Sequence, residues 1–337
     1  MSQLNYNSDS LGKGDAAARS ATKQRRRRLA FIIAAVIVII GLGLGLGLGL
    51  GLRKGDDDDD GDDGDDTTDD GTDRGANRTT MWNPSVGDSW QIILLKPLDT
   101  SVDLEPDVEV YDLDLFNNEA TVFDDLHAKN KKVICYFSAG SWENWRDDKD
   151  KFEDSDLGST LDGWPDEKWL KLSSDNVRSI MAERIKLASR KGCDAIDPDN
   201  VDGYENDNGL GLTEEDSIDF MKFLSEEAAK YNMSTGLKNA GSIIDRSLPY
   251  VAFSVNEQCG EHDECETFEA FIEDKKPVFR IEYPKEDLTD EARIAAVSKQ
   301  RCDAAGASAF STVLKNMNLD GWVEYCDGDT YDTSIVS

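Results

Sequence analysis

Two histidines, His127 and His262, serve a chain of 337 residues, and no Cys-x-x-Cys spacing occurs in it. The donor sets that zinc demands are therefore missing. No apolar strand-like run opens into a glycine-rich phosphate turn, which argues against a doubly wound open sheet, the alternative α/β fold. Positive charge is scarce as well: 37 Lys and Arg stand against 69 Asp and Glu, for a net charge of −32. Such a field repels nucleic acid and other polyanions and draws in polycations. No metal and no organic cofactor is implied.

The charge that is present is unevenly spread, with a net of +7 over residues 1–54, −10 over 55–78 and −29 over the rest. Leu29 to Leu52 is 24 residues without a charge, long enough at about 1.5 Å per residue to cross a bilayer. Its second half is six Gly-Leu pairs, which lower helix propensity but keep the segment apolar. A cleaved signal peptide is the alternative. The run exceeds the usual apolar core of about 7 to 15 residues, and no small-x-small site follows it. Lys23 and Arg25 to Arg28 precede the run, and only Arg53 and Lys54 follow it before a row of aspartates. The positive-inside rule thus predicts a cytoplasmic tail (1–28), one transmembrane helix (29–52) and type II topology. The rest then lies outside, at the cell surface or wall, with shedding left open. The basic cluster read alone would suit nuclear import or nucleic acid.

Asp56 to Asp73 is almost wholly Asp, Gly and Thr. With nothing apolar to bury, residues 53–80 are expected to be a disordered, self-repelling stalk. A calcium loop starting at Asp56 would need Glu at its twelfth position, where Thr67 stands. Asn77-Arg78-Thr79 and Asn232-Met233-Ser234 are N-glycosylation acceptors. All six cysteines follow the apolar run. In an oxidising compartment they read as three disulfides, for which fifteen connectivities exist.

From Thr79 onward apolar strand-like runs alternate with helical stretches, as in a parallel α/β architecture. Eight strands are predicted: Trp90 to Leu95, Val108 to Leu113, Val133 to Ser138, Cys193 to Asp197, Ser234 to Lys238, Val251 to Asn256, Val278 to Tyr283 and Ser308 to Leu314. Eight strands close a (β/α)8 TIM-type barrel, whose usual size of about 250 residues suits 81–337. Helices are predicted from Asn176 to Lys191, ended by Gly192, and after the Thr213 cap. In such barrels the strand ends carry catalytic groups. Two ends are rich in acids: Asp197-Pro198-Asp199-Asn200-Val201-Asp202-Gly203-Tyr204 and Asn256-Glu257-Gln258-Cys259. Paired carboxylates at one rim are the equipment for hydrolysing glycosidic bonds: one acid protonates the leaving oxygen while the other attacks or activates water.

Further motifs accompany these two. They are Val133 to Ser141 with Glu143, Trp145 and Arg146; Leu161-Asp162-Gly163-Trp164-Pro165; Gly236-Leu237-Lys238-Asn239; Cys265; and Ile281-Glu282-Tyr283. In this order, from about Trp90 to Cys326, the chain resembles glycoside hydrolase family 114, the endo-α-1,4-polygalactosaminidases. The resemblance implies an endo-acting hydrolase of α-1,4-linked galactosamine, a cationic polysaccharide that suits the acidic domain, with Asp199 as nucleophile and Glu257 as general acid/base. Asp197 departs from the family pattern, where Glu is expected, and shares a strand face with Asp199. Asp197, Asp202, Tyr204, Lys238, Asn239, Glu282, Tyr283, Trp164, Glu143 and Asp114 are the expected substrate-binding residues, Glu282 for a substrate amine. The resemblance also pairs Cys259 with Cys265. Cys302 with Cys326, and Cys135 with Cys193, follow only by elimination. A retaining mechanism and a monomer are expected. The competing readings are a non-catalytic carbohydrate-binding protein on a degenerate barrel and an α-galactoside hydrolase of other specificity.

Overall fold

Eight parallel strands run side by side through the computed structural model, which describes Arg74, residues 78–285 and residues 288–336. In chain order the strands are β1 (Trp90–Ile93), β2 (Val110–Asp114), β3 (Lys132–Ser138), β4 (Ser141–Glu143), β5 (Leu157–Leu161), β6 (Trp164–Leu170), β7 (Ala195–Asp199), β8 (Ser234–Lys238), β9 (Phe253–Glu257), β10 (Val278–Glu282), β11 (Ser311–Lys315), β12 (Trp322–Tyr325) and β13 (Thr330–Asp332). The main sheet has the order β1-β2-β3-β7-β8-β9-β10-β11-β12-β13. Its first eight strands are parallel, and β12 and β13 return antiparallel. The sheet curls until its first strand meets β11: Trp90 Nε1 donates to Ser311 O at 2.8 Å, and Ser311 Oγ donates to Asp88 O at 2.7 Å. This is a mixed α/β fold of TIM-like barrel type.

The pleat sorts side chains into two cores. Ile92, Val110, Ile134, Ala195, Val255, Ile281 and Val313 fill the inside of the curl. Leu113, Val133, Cys135, Phe137, Ile196 and Leu237 point outward, to the layer holding Ile180, Met181, Phe220 and Met221 of the helices. The bare backbone of Gly236 leaves room for the Phe253 ring, which a Cβ there would approach to 2.4 Å.

The two long helices are Asp175–Lys191 and Glu214–Ala229. The Ser174 side chain caps the first by accepting from Val177 N, and Gly192 ends it at φ 103°. Thr213 and Asp216 cap the second reciprocally. The helical layer is less regular than the sequence predicts. No helix joins β1 to β2, and β8 connects to β9 through only the short turns Gly241–Ile243 and Ile244–Ser247. The insertion after β3 forms a three-stranded sheet of order β4-β6-β5, which the short polar runs of the sequence do not announce. Residues 78–159 and 167–336 belong to one compact unit, and Thr160–Asp166 falls outside it.

The disulfides are Cys135–Cys193, Cys259–Cys265 and Cys302–Cys326. Asn232 donates through its side-chain amide to Arg78 O at 2.7 Å. The expected tail (1–28), transmembrane helix (29–52), Asn77 acceptor and nearly all of the stalk (53–80) lie outside the described residues. Among the described residues no helix is long and apolar enough to cross a membrane.

Candidate active site

The same pleat that lines the barrel with apolar residues ends several strands on an inward polar group. Continuing the inner rows toward the C-terminal ends reaches Asp112 on β2, Tyr136 on β3, Asp197 and Asp199 on β7, Lys238 on β8 and Glu257 on β9. The Lys238 ammonium is buried among them. It stands 3.8 Å from Asp197, 3.7 Å from Asp199 and 3.5 Å from Glu257. Burial disfavours its charge, but the surrounding carboxylates outweigh that and hold it well above the ordinary lysine range.

Asp199 is gripped from two sides. Its carbonyl accepts from Ala139 N at 2.9 Å and Gly140 N at 3.0 Å. Gly140 is required there, because a Cβ would fall 1.8 Å from Asn200 O. Its carboxylate accepts from Asn200 N and from the Tyr136 hydroxyl, both at 2.8 Å. Burial, and then the charge of Asp199, hold Tyr136 well above its usual range, so that phenol is a permanent donor.

Glu257 accepts from the Tyr283 hydroxyl and, at 3.2 Å, from Asn239 Nδ2. Asn239 Oδ1 in turn accepts the Glu257 amide at 2.9 Å. Burial raises the Glu257 carboxyl. Lys238, Tyr283 and Asn239 together overcome this and leave it below the usual glutamate range. A proton donor raised by burial is the usual arrangement for such a role, and here the charge and hydrogen-bond partners do the opposite. Since Lys238 touches both carboxylates, their nearest oxygens are no more than about 7 Å apart, a span that includes the retaining spacing.

Beneath this pair lie Asp112 and Asp197, both fully buried. None of their four oxygens has a hydrogen-bond partner among the described residues. Burial, then the Asp197 charge, pushes Asp112 far up. Burial likewise raises Asp197 to about 7, against the pull of Lys238. Asp197, an expected substrate-binding residue, is fully buried and stands 3.8 Å from the Lys238 ammonium. Lys238 itself is 2 % exposed and meets carboxylates.

The other expected residues are spread over several places. Tyr283, Asn239 and Asp202 adjoin the pair, and burial followed by the charge of Asp199 raises Asp202 to about 7. Tyr204 bonds Ser242 Oγ at 2.8 Å, farther out on the loop. Asp114 and Glu143 are buried in a brace: Arg146 bonds Asp114 at 2.8 Å and Glu143 at 2.9 Å, and Arg184 bonds Asp148 at 2.8 Å. Glu282 stands apart from these. It points out of the barrel, accepts from Gly260 N at 2.6 Å and lies 3.8 Å from Arg280 and 3.7 Å from Arg301. The pleat turns it away, because its neighbour Ile281 is the residue in register with Glu257. Trp164 is exposed within Thr160–Asp166, outside the unit that holds the site.

Tyr136 and Glu167 were not foreseen in the sequence. The alternation Ile134, Tyr136, Ser138 along β3 would have revealed the first. Nothing local marks the second. Among the described residues one group has the ligand types and closeness of a metal site, Cys259, Cys265 and Glu282, and the disulfide removes its thiolates.

Two carboxylates bridged by a buried ammonium at the strand ends of a TIM-like barrel are the apparatus of a glycoside hydrolase. The sequence profile of glycoside-hydrolase family GH114 matches residues 71–331, and the chain belongs to this family. It is 55 % identical to Ega3 of Aspergillus fumigatus, whose crystal structure is a complex with galactosamine; the match covers 74 % of this chain and 99 % of that one, with a TM-score of 0.69. The glycoside hydrolase domain of PelA from Pseudomonas aeruginosa shares the fold at 11 % identity and a TM-score of 0.53, over 68 % of this chain and 95 % of that one. No curated protein matches.

Proposed function

We propose that this hydrolase cleaves α-1,4-linked galactosamine within an extracellular polysaccharide, with retention of configuration. The observation that carries the reading is the Asp199 and Glu257 pair held by one ammonium, 3.7 and 3.5 Å away. The 55 % identity to Ega3, a protein seen with galactosamine, supports the substrate. In the proposed reaction Asp199 attacks C1 of one galactosamine unit as the C1–O bond to the next unit breaks, and Glu257 passes a proton to the departing oxygen. Water then attacks C1, giving its proton to Glu257 and freeing Asp199. Because Lys238 holds Glu257 low, the proton needed in the first step is available at acidic pH. The acidic domain would concentrate a cationic chain around the site.

The N-terminal features extend the proposal: a closed (β/α)8 barrel of a monomeric enzyme, carried outside the cell by an anchor at 29–52 and a stalk at 53–80, and glycosylated at Asn77 and Asn232. Incubating the purified protein with deacetylated galactosamine oligomers and following products by mass spectrometry tests the substrate; intact oligomers would overturn it. Proton NMR of the first-formed ends tests retention, and β-configured ends would refute that step.

A further inference from the structure

One carboxylate near Asp199 has no cation at ion-pair distance among the described residues and feels Arg146 only from farther away. Glu167 on β6 stands in register with Glu143 on β4, and like charges directly opposite one another cost stability. Glu143 is compensated by Arg146 at 2.9 Å and Arg184 at 3.7 Å. The cations near Glu167 are committed elsewhere: Arg146 to Asp114 and Glu143, Arg184 to Asp148, and Lys168 to the Trp142 ring, 5.6 Å from its centre. Glu167 is 8 % exposed. One oxygen accepts from Ser141 Oγ at 2.6 Å, and the other accepts from no described residue. Ser141 Oγ also accepts from Asn200 Nδ2 at 3.2 Å, and Asn200 N holds Asp199. Glu167 is therefore tied to the nucleophile's own turn.

In a 2-amino sugar the nitrogen sits on C2, one bond from the C1 that Asp199 attacks, so whatever receives the amine must flank Asp199. A nearly buried carboxylate short of a cation is the group that gains most from an incoming ammonium, through a charge-assisted hydrogen bond. We propose that Glu167 receives the ammonium of the galactosamine unit seated against Asp199 and so selects a free over an acetylated amine. This rests on the galactosaminidase reading above.

The docking has a consequence in protons. Burial raises Glu167 most; Ser141 and, more weakly, Arg146 oppose it, while Glu143 and Asp199 push it further, to about 7. The groups facing it are Ser141 and Glu143 on β4, Tyr136 on β3, Asp199 on β7 and Arg146. Below that pH the folded protein holds a proton on Glu167, which must leave as the ammonium arrives. Binding of galactosamine, whose amine is already an ammonium at pH 6, thus releases a proton at that pH.

Calorimetric titration of the full chain with galactosamine and its short oligomers, in two buffers of different ionisation enthalpy, reads this directly. The wild type is expected to release the proton at pH 6. Glu167→Gln keeps an acceptor for Ser141 but has no titrating group; it loses the release and binds about tenfold more weakly, the size of one charge-assisted hydrogen bond. Asp202→Asn, which removes another acid near Asp199 that burial raises to about 7, keeps the release. Unchanged affinity and proton release in Glu167→Gln, or their loss in Asp202→Asn instead, overturn the assignment. On partly acetylated polymer, Glu167→Gln is expected to lose the wild type's preference for a free amine at the newly formed reducing end, and a retained preference counts against Glu167. If the wild type binds galactosamine with proton release yet leaves its oligomers intact, the substrate reading falls and the Glu167 site stands. Hydrolysis with no role for Glu167 in binding gives the reverse.

Discussion

Glu257 and Glu282 end adjacent strands, and their surroundings are opposite. Glu257 faces the inside of the barrel, its side chain 26 % exposed, with Lys238, Tyr283 and Asn239 around it. Glu282 is fully buried on the outer face, fastened to Gly260 N and lying near Arg280 and Arg301. Both are acids after an apolar run. What separates them is one residue of register: Ile281 pairs with Glu257, so Glu282 is turned to the other side. An acid at a strand end is thus a candidate for chemistry only if its parity matches the inward row.

The sharpest way to break this contrast is to neutralise each acid in turn. Glu257→Gln and Asp199→Asn are expected to lower kcat on the order of 10^3-fold with the far-UV circular dichroism unchanged. Glu282→Gln should keep kcat within a factor of about three while destabilising the fold by roughly 1 to 3 kcal/mol, since it weakens a buried ionic network. Inactivation by Glu282→Gln comparable to that of Glu257→Gln would show that parity does not divide them.

Lys238→Met tests what holds the inner pair. Its loss removes the cation that lowers Glu257, so the Glu257 carboxyl rises. As Glu257 must carry the proton for the first step, the alkaline limb of the pH–rate profile should move to higher pH, with kcat at the wild-type optimum falling on the order of 10^2-fold. A limb that stays in place would mean that Lys238 does not set Glu257.

Glu167 adds a smaller, pH-dependent effect on stability. Its folded carboxyl is raised to about 7 from an ordinary 4.5. A raised acid keeps its proton in the folded state after the unfolded chain has lost it, so stability declines as pH rises between those values. Glu167→Gln is free of that penalty. Relative to the wild type it should gain stability between pH 5 and pH 8, on the order of 2 kcal/mol. Denaturant melts at both pH values measure this, and a gain confined to pH 5 would contradict it. The smallest effect is expected at Asp112. Burial and the Asp197 charge hold Asp112 far above the usual aspartate range, so Asp112→Asn replaces one neutral group with another, and both kcat and the denaturation midpoint should stay close to wild type. A large loss would place a charge on Asp112.

Much of the frame was legible because it is local. Each of the eight predicted strands overlaps an observed one, for an apolar run closed by a polar cluster reports burial followed by a rim. Asp199, Glu257, Asn239 and Tyr283 come together as the motifs suggest. Glu167 was not legible, since its significance lies in the absence of a cation at ion-pair distance, which depends on where Arg146 and Arg184 spend their charge. The helical layer was over-read: the connection from β1 to β2 carries no helix.

By itself the sequence determined the order of the strands, the acids at two of their ends and, through its family motifs, a disulfide pairing that the structure shows. These follow from patterns within a few residues and from motif identity. Only the tertiary structure decided that one lysine serves three carboxylates, that Asp112 and Asp197 are both buried out of solvent, and that Glu282 faces away. Those outcomes depend on curling the sheet, which brings Asp112 and Glu257 into one electrostatic neighbourhood, where burial and charge partners set every proton.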